Sequence, residues 1–377
     1  MIRYLTAGES HGKGLAVIIE GVPAGLEITE EEIMVDLKRR KLGYGRGGRQ
    51  KIETDQIEVL SGIRFGKTMA SPIALIVINK DFANWEAKMS SFNERPEGCE
   101  PITVPRPGHA DFAGFNKYKF DDIRNILERS SARETTMRVA VGGFAKKILK
   151  TLGVEIASYV DGVGSVSLAR NEIGIEEIRK NTTSQLATLN SNTENEMMAD
   201  IDKAVKQGVS LGGTFTVVVE GLPIGLGSYV QWDRKLDAIL AKAVMSIQAI
   251  KGVEFGLGFE VAKLTGDKAH DEFQLENNNI TRKTNNAGGV EGGMSNGQPL
   301  IIRAAMKPIP TMRTVLKSVD LVTLEEKDSF FERADVCAVP AAAVVAESVV
   351  ALELVNAILE KFGGDSMAEL ISRVNPK

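Results

Sequence analysis

The sequence predicts a mixed fold of the α+β class that is built from two related halves. Strand-like runs at residues 73–78 and 300–304 lie among helical patterns without the regular alternation of a doubly wound sheet. A decapeptide recurs, as VIIEGVPAGL at residues 17–26 and VVVEGLPIGL at residues 217–226, with six identical positions. The chain has 377 residues, of which 43% are hydrophobic and 25% charged, and these values are typical of a globular protein with a sizeable core.

Each decapeptide is typical of a β-branched strand that enters a Pro/Gly turn, and each is followed by a helical pattern. After the first copy, Thr29 and Glu32 have capping-box spacing. After the second, residues 232–247 carry apolar side chains at helical spacing. We expect one domain with halves near 1–200 and 201–377; the alternative is a generic strand and turn that recurs by chance.

Two further helices are expected. Ser131 and Glu134 have capping-box spacing ahead of an apolar pattern that stops at Gly153. Pro340 leads into residues 341–362, which are apolar on nearly every side and are therefore predicted to be buried.

The overall charge of −4 argues against a general nucleic-acid or membrane-surface binder, so any basic site has to be local. Cys99 and Cys337 lack the spacing of a disulfide framework or a zinc site, and we expect no metal. The start of the chain lacks the pattern of a signal peptide, and no run of about 18 apolar residues is found. These features predict a soluble, cytoplasmic protein.

Positioned loops usually carry the chemistry of a protein, and residues 38–51, 90–112 and 281–298 are predicted to be irregular. The first has the sequence KRRKLGYGRGGRQK, in which half of the residues are cationic and four are Gly. Guanidinium groups beside flexible backbone predict a local anion site. Cations at a solvated helix end would explain Arg39 and Arg40 but not Arg46 and Arg49. An RNA-binding loop is a further alternative, although Tyr44 is the only aromatic residue here.

A second anion site is suggested by Arg129, Ser130 and Ser131, which precede a predicted helix where unpaired N–H groups bind anions. Ser131 could equally be a plain N-cap.

His11 in GESHG and His109 in RPGHADF are candidates for acid–base chemistry because Arg and Gly-rich backbone surround both, whereas His270 is interpreted as a surface residue. Asp335 is a candidate carboxylate or an ordinary loop acid. No dinucleotide-binding fingerprint in the required strand–turn–helix context and no Walker A motif is found in the sequence. The residues alone therefore predict an enzyme for a small, multiply anionic, phosphorylated substrate.

Five motifs, read together and in order, give the chain a close resemblance to the chorismate synthases. They are GESHG (8–12), RPGHADF (106–112), RSSARET (129–135), MKPIPT (306–311) and RADVCAVPA (333–341). The resemblance implies a lyase that converts 5-enolpyruvylshikimate 3-phosphate to chorismate and phosphate, the last common step of the shikimate pathway. It also implies a β-α-β sandwich, a homotetramer, and a requirement for reduced FMN in a reaction without net redox change.

The resemblance further implies roles for individual residues. His11 would assist the departing phosphate as an acid, with the neighbouring Ser10 as a hydrogen-bonding partner. His109 would stabilise the anionic reduced flavin, and Asp335 would relay the C6 proton through flavin N5. Anion-binding positions would be Arg40 and Arg46, helped by Arg39, Arg49, Arg133 and Arg138. Flavin contacts would come from Arg129, Ser130, Ser131, Gln248, Ala249, Gly292, Lys307, Pro308, Ile309, Pro310, Thr311 and Arg333.

One departure is Ala334, where a Ser or His is expected in the RADVC motif. The resemblance leaves open whether the chain reduces its own flavin, as bifunctional members do, and the lack of a Rossmann fingerprint favours an external reductant. NADPH would be needed only if an intrinsic or external flavin reductase activity supplies the reduction. The alternative class is a non-catalytic flavin- or polyanion-binding protein that kept the fold.

Overall fold

The computed structural model describes residues 1–48, 52–169, 173–180, 184–332 and 334–374. Its strands are, in chain order, β1 Arg3–Gly8, β2 Gly14–Glu20, β3 Ile57–Ser61, β4 Ile63–Arg64, β5 Lys67–Thr68, β6 Ile73–Ile78, β7 Glu155–Val163, β8 Val166–Ser167, β9 Gly213–Glu220, β10 Ile250–Phe255, β11 Phe273–Glu276, β12 Asn279–Arg282, β13 Val290–Glu291, β14 Met294–Ser295, β15 Leu300–Met306, β16 Lys317–Val319 and β17 Glu326–Asp328. Its helices are α1 Glu30–Lys41, α2 Asp111–Tyr118, α3 Arg124–Ser130, α4 Thr135–Thr151, α5 Ile175–Lys180, α6 Ser191–Gln207, α7 Leu236–Met245, α8 Gly266–Ala269, α9 Val339–Phe362 and α10 Met367–Val374.

Two antiparallel sheets enclose a layer of helices. The first sheet has the strand order β1-β2-β6-β3 and the second has the order β10-β15-β9-β7-β8. Helices α1, α4, α7 and α9 pack on one another between them, with α4 against β1 and β2 and α9 against β7 and β9. This arrangement is a β-α-β sandwich, and the predicted α+β class is confirmed.

The centre of the helical layer is α9, which begins at Val339–Pro340 and ends before Gly363 as predicted. Glu347 and Glu353 interrupt the apolar sequence of α9, yet α9 is the one helix among the described residues that is long and apolar enough to cross a membrane. It is buried over 94% of its most apolar window, as in the core helix of a soluble protein. Its apolar character therefore reflects contact with protein on every side.

The two decapeptides occupy equivalent places in the two sheets. Strand β2 lies between β1 and β6, and β9 lies between β7 and β15, so β1-β2-β6-β3 corresponds to β7-β9-β15-β10. The turns match in detail: the Thr68 hydroxyl donates to Pro23 O and accepts from Leu26 N, and the Ser295 hydroxyl does the same with Pro223 and Leu226. The same hydrogen bonds in both turns argue against a chance recurrence.

This correspondence shifts the division between the halves. Because β7 is the counterpart of β1 in strand order, we propose that the second half begins near residue 154, before the boundary near residue 201 that the sequence pattern suggests. Of the segment predicted to be irregular at residues 38–51, residues 38–41 belong to α1, which ends at Lys41, and residues 49–51 lie outside the described part of the chain.

Two capping boxes were predicted, and the structure contains one of them. The Thr29–Glu32 box is present at the start of α1. Ser131 instead accepts from Arg133 N and caps a 3₁₀ turn, Ala132–Glu134, that leads into α4. Glu134 does not complete a box because its carboxylate binds Thr6, Arg138 and Gln248.

Candidate functional site

His11 lies in the loop that connects β1 to β2 and is held by a buried glutamate. Its Nδ1 atom lies 2.9 Å and 3.1 Å from the two carboxylate oxygens of Glu128, and its backbone N–H donates to the same carboxylate over 2.7 Å. The imidazole stacks on Trp85 with ring centroids 4.1 Å apart. Ser10 is buried, and its N–H donates to Glu128 O. These contacts fix the ring against α3.

His109 lies in the turn before α2 and repeats this arrangement. Its Nδ1 atom contacts the fully buried carboxylate of Asp111, and Arg106 Nη2 lies 2.9 Å from the same nitrogen. Burial alone raises the pKa of Asp111, but hydrogen bonds from His109 and Arg106 lower that pKa to about 2. Asp111 is therefore ionised at neutral pH, beside the imidazole.

A chain of ion pairs connects the two histidines. Arg124 Nη1 lies 3.2 Å from Glu128 and 3.0 Å from Glu332, whose other oxygen lies 3.9 Å from Arg106. Each histidine thus has a carboxylate on Nδ1 and an arginine behind that carboxylate. Glu332 joins the two arginines, so the two histidines belong to one polar network.

The arginine cluster, which we define as Arg40, Arg46 and Arg133, lies next to the His11 loop. Asn79 connects the two: its Nδ2 donates to the carbonyl oxygens of Glu9, Ser10 and Gly12, and its Oδ1 accepts from Arg133. Arg133 and Arg40 both contact Asp55 and the Thr136 hydroxyl. The cluster therefore combines cations from α1, from the loop after it and from the 3₁₀ turn that leads into α4.

Two N–H donors of the arginine cluster are buried without a hydrogen-bond partner in the described part of the chain. The Nε atoms of Arg40 and Arg46 are buried and lack a hydrogen-bond partner within the described part of the chain. Burial lowers the pKa of Arg40 to about 10 and the nearby Arg133 and Arg46 act in the same direction, against the opposing effect of Asp55. Buried donors among like charges are costly unless an anion binds there.

Asp335 lies within this cluster. Its carboxylate pairs with Arg46 Nη1 at 2.8 Å and accepts from Gly47 N at 2.6 Å. The resemblance assigned Asp335 to the flavin side, whereas the structure connects it directly to the predicted anion loop. A carboxylate is thus held at a fixed place beside the arginines.

A second cluster surrounds Glu134, and we call it the Glu134 cluster. Arg138 and Gln248 Nε2 contact the Glu134 carboxylate, which also accepts from the Thr6 hydroxyl. Arg129 donates to the carbonyl oxygens of Thr6 and Gly8 on β1. The cluster gathers the predicted Arg129 and Gln248, and it includes Arg138, which we had expected among the anion-binding residues.

The predicted flavin segment 307–311 connects this cluster to His109. Lys307 N donates to Ala249 O at 2.9 Å, Lys307 Nζ contacts Gly108 O, and Thr311 accepts from Arg106 at 3.0 Å. Ala249 has a φ of 68°, an uncommon conformation for a residue with a Cβ atom. Ser130 and Ser131 lie where α3 meets the 3₁₀ turn. Pro308, Ile309 and Pro310 complete the segment, and Ile309 O accepts from Ser210.

Two predicted site residues lie elsewhere. Arg39 leaves the other side of α1 and forms a bidentate pair with buried Glu347 and a pair with Asp36, in the wall of a separate cavity of about 570 Å³. Gly292 lies in the β13–β14 turn. The next residue, Gly293, accepts a hydrogen bond from Leu236 N at the start of α7, whereas Gln248 follows the end of that helix, so α7 separates Gly292 from Gln248. Arg49 and Arg333 lie outside the described residues.

Sequence reasoning missed the carboxylates that hold the histidines, as well as Asn79 and Trp85. Asp111 follows His109 by two residues and Glu128 precedes Arg129, so Asp111 lies inside the RPGHADF motif and Glu128 directly before the RSSARET motif. The sequence signal for Asp111 was an acidic residue two positions after His109. No local signal connects Glu128 to a histidine 117 residues away.

The sandwich and its two histidine–carboxylate pairs beside an arginine cluster define an α+β protein of the enzyme class, with a site suited to a small anionic molecule. The comparisons with known proteins identify the family. The profile of the family described as chorismate synthase matches residues 2–359, and the chain belongs to this family.

Similar proteins cover nearly the whole chain. A chorismate synthase of Geobacter metallireducens is 55% identical over 98% of this chain and 96% of its own length. One of Chlorobaculum tepidum is 52% identical over 99% of this chain and 97% of its own. A crystal structure of a chorismate synthase matches with a TM-score of 0.78 and 40% identity, covering 99% of this chain and 96% of that one.

Proposed function

We propose that this chain converts 5-enolpyruvylshikimate 3-phosphate to chorismate and phosphate in a 1,4-elimination, with the arginine cluster as the substrate site. The family supports the reaction. The observation that carries the site is the pair of buried Nε donors on Arg40 and Arg46. A substrate with one phosphate and two carboxylates offers the acceptors that these donors need.

Within this proposal, Arg133 helps Arg40 and Arg46 to bind the anionic groups. His11 protonates the phosphate as it leaves C3, because its loop is tied to Arg133 through Asn79. Asp335 handles the proton that leaves C6, since Arg46 and Gly47 hold its carboxylate beside the arginines. Arg39 has no part in substrate binding here because its guanidinium is committed to Glu347 and Asp36. Arg49 remains a candidate helper.

Membership of the family implies a requirement for reduced flavin, and the Glu134 cluster fits such a group. Gln248 Oε1 is buried without a hydrogen-bond partner in the described ranges, so it can accept from a ring N–H. Reduced FMN would supply electron density to the elimination and recover it, so that no net oxidation occurs. Residues proposed to hold it are Arg129, Ser130, Ser131, Arg138, Gln248, Ala249, Lys307, Pro308, Ile309, Pro310, Thr311 and Arg333, with Gly292 as a candidate.

His109 would stabilise the negative charge of the reduced flavin. The Lys307 side chain, which contacts Gly108 O beside it, adds a further cation to this region. An external reductase that uses NADPH would deliver the reduced flavin.

We further propose that the protein is cytoplasmic and forms a homotetramer. The outer face of the first sheet supports self-association, since Leu5, Ile18 and Ile78 are exposed there. In the second sheet the counterpart face is covered by α5, whose Ile175 and Ile178 pack on Tyr159 and Val218. An uncovered apolar sheet face is typical of an interface.

Anaerobic turnover tests the function. We expect the purified chain with reduced FMN to release phosphate and chorismate in equal amounts, without consuming one reductant per product. Oxidised FMN should give no product. Binding of substrate and flavin without turnover would instead support the alternative of a non-catalytic flavin- or polyanion-binding protein.

A further inference from the structure

We propose that Glu128 is a positioning residue for His11: it keeps the proton on Nδ1 and orients the ring. This inference rests on the proposed function, in which His11 acts as the acid. The contacts that carry it are the bidentate approach of Glu128 to Nδ1 and its hydrogen bond from the His11 backbone N–H.

Glu128 is ionised, and this determines which ring nitrogen bears the proton. Burial raises the pKa of the Glu128 carboxyl, but the hydrogen bonds and charge of His11, together with Arg124, lower it below the ordinary value. An ionised carboxylate can only accept hydrogen bonds, so Nδ1 must donate. Nε2, on the opposite edge of the ring, is then the nitrogen that exchanges a proton with the substrate.

The surrounding groups constrain the ring further. Trp85 stacks on the imidazole. Two cations lie near the Trp85 ring: the Arg124 guanidinium is 5.0 Å from the ring centroid, and Lys88 Nζ is 5.7 Å from it. On the His11 loop itself, Glu9 is a further acid. Glu332 lies behind Arg124. Among these groups, Glu128 is the charged side chain in direct contact with Nδ1, so its removal should affect the proton on Nδ1 most.

A related construction is present at His109, where Asp111 contacts Nδ1 and Arg106 holds the carboxylate while its Nη2 also lies 2.9 Å from Nδ1. The two loops are unrelated in sequence, and their carboxylates come from different elements. A carboxylate on Nδ1 of two histidines in one network indicates that it positions the imidazole, since an acid needed only for folding would not have to contact Nδ1 at both places.

Two variants separate charge from geometry. Glu128→Gln keeps one oxygen that can accept from Nδ1, and Glu128→Ala removes it. The chain has three histidines, so ¹⁵N spectra of the imidazoles can be assigned with single substitutions. We expect His11 to be protonated at Nδ1 in the parent and in Glu128→Gln, and to lose this preference in Glu128→Ala.

Turnover provides the second readout. Glu128→Gln replaces a charged acceptor beside Nδ1 by a neutral one, so the high-pH limb of its kcat/KM profile should move to lower pH. Glu128→Ala should lower kcat by about a hundredfold, within the range of general acid catalysis, and Glu128→Gln should restore part of it. Glu332→Gln, which also alters the partner of Arg124 but does not contact His11, is the matched control and should leave the pH limb in place.

The positioning role would be overturned if Glu128→Gln and Glu128→Ala lost kcat equally and kept the pH profile of the parent. It would also be overturned if the Nδ1 signal of His11 were unchanged in Glu128→Ala. If Glu128→Ala does not fold, Glu128→Gln still decides through its pH limb. A parent protein without turnover would refute the proposed function, whereas the ¹⁵N measurement would still report whether Glu128 sets the protonated nitrogen.

Discussion

Arg39 and Arg40 are adjacent in the sequence, but their guanidinium groups have different partners. Arg39 pairs with buried Glu347, and Arg40 lies in the arginine cluster with a buried, unpartnered Nε. We therefore expect Arg40→Ala to raise the substrate Kd by about tenfold to a hundredfold, the loss of one charge-assisted hydrogen bond. Arg39→Ala should leave that Kd unchanged.

The control variant Arg39→Ala is expected to lower stability. Removing Arg39 leaves Glu347 with Lys146 and Ser158 as remaining partners, so we expect a loss of about 2 kcal/mol in unfolding free energy, less than for breaking a buried pair with no other partner. Calorimetric titration with substrate and chemical denaturation measure the two quantities. A large rise in the substrate Kd of Arg39→Ala would show that Arg39 does contribute to substrate binding.

Asp111 makes stability depend on pH. Its pKa is lowered from 3.8 to about 2 in the folded protein, so its stabilising contribution is complete above about pH 4 and is lost as pH falls towards 2. The shift corresponds to roughly 2 kcal/mol. Asp111→Asn should therefore be less stable by about this amount at neutral pH and should unfold with a weaker pH dependence between pH 4 and 2. Urea unfolding across this range is the measurement, with the exposed Asp121→Asn as control.

At the scale of elements, α4 and α9 approach closely because Gly142 has no side chain. A Cβ atom there would overlap the side chain and backbone of Ser348 on α9. We expect Gly142→Ala to lower the unfolding free energy by about 1 to 3 kcal/mol, since overpacking outweighs the better helix propensity of Ala.

The neighbouring Gly143→Ala provides the control for that substitution. Its Cβ would lie 3.2 Å from Ile33 Cα, a tight contact that a small shift can relieve. The destabilisation should be clearly smaller, as measured by thermal or chemical unfolding. Equal stability of Gly142→Ala and the parent would show that the two helices can separate without cost.

Elements with strong local signals were predictable, and contacts between distant segments were not. Pro340 and Gly363 delimit α9 in the sequence, and Thr29 with Glu32 marks the start of α1. Ser131 and Glu134 have the same spacing, but the competing partners of Glu134 come from other elements. The loops that carry His11 and His109 were also predictable from their Gly, Pro and Arg neighbours. Their acidic partners depend on tertiary packing, which no local pattern encodes.

At the scale of the whole molecule, the two halves share one helical layer. Helix α9 of the second half packs on α1 and α4 of the first. We therefore propose that the chain is a single domain in which neither half is stable alone, because separating them would expose the buried apolar residues of α9. Expression of residues 1–153 alone should give an unfolded or aggregated product, judged by circular dichroism and amide dispersion.

The last prediction concerns the open face of the first sheet. Ile18 lies in the central part of this face, opposite Leu5 on β1 and Ala74 on β6, and 53% of its surface is exposed in the single chain. If this face joins copies of the chain, Ile18→Lys places a charge in an apolar interface and should shift the protein from tetramer to smaller species, as measured by light scattering during size-exclusion chromatography. Val205→Lys on α6, where 42% of the side chain is exposed, should leave the assembly intact. A parent that is monomeric at micromolar concentration, or an Ile18→Lys variant that remains tetrameric, would show that this face does not mediate assembly.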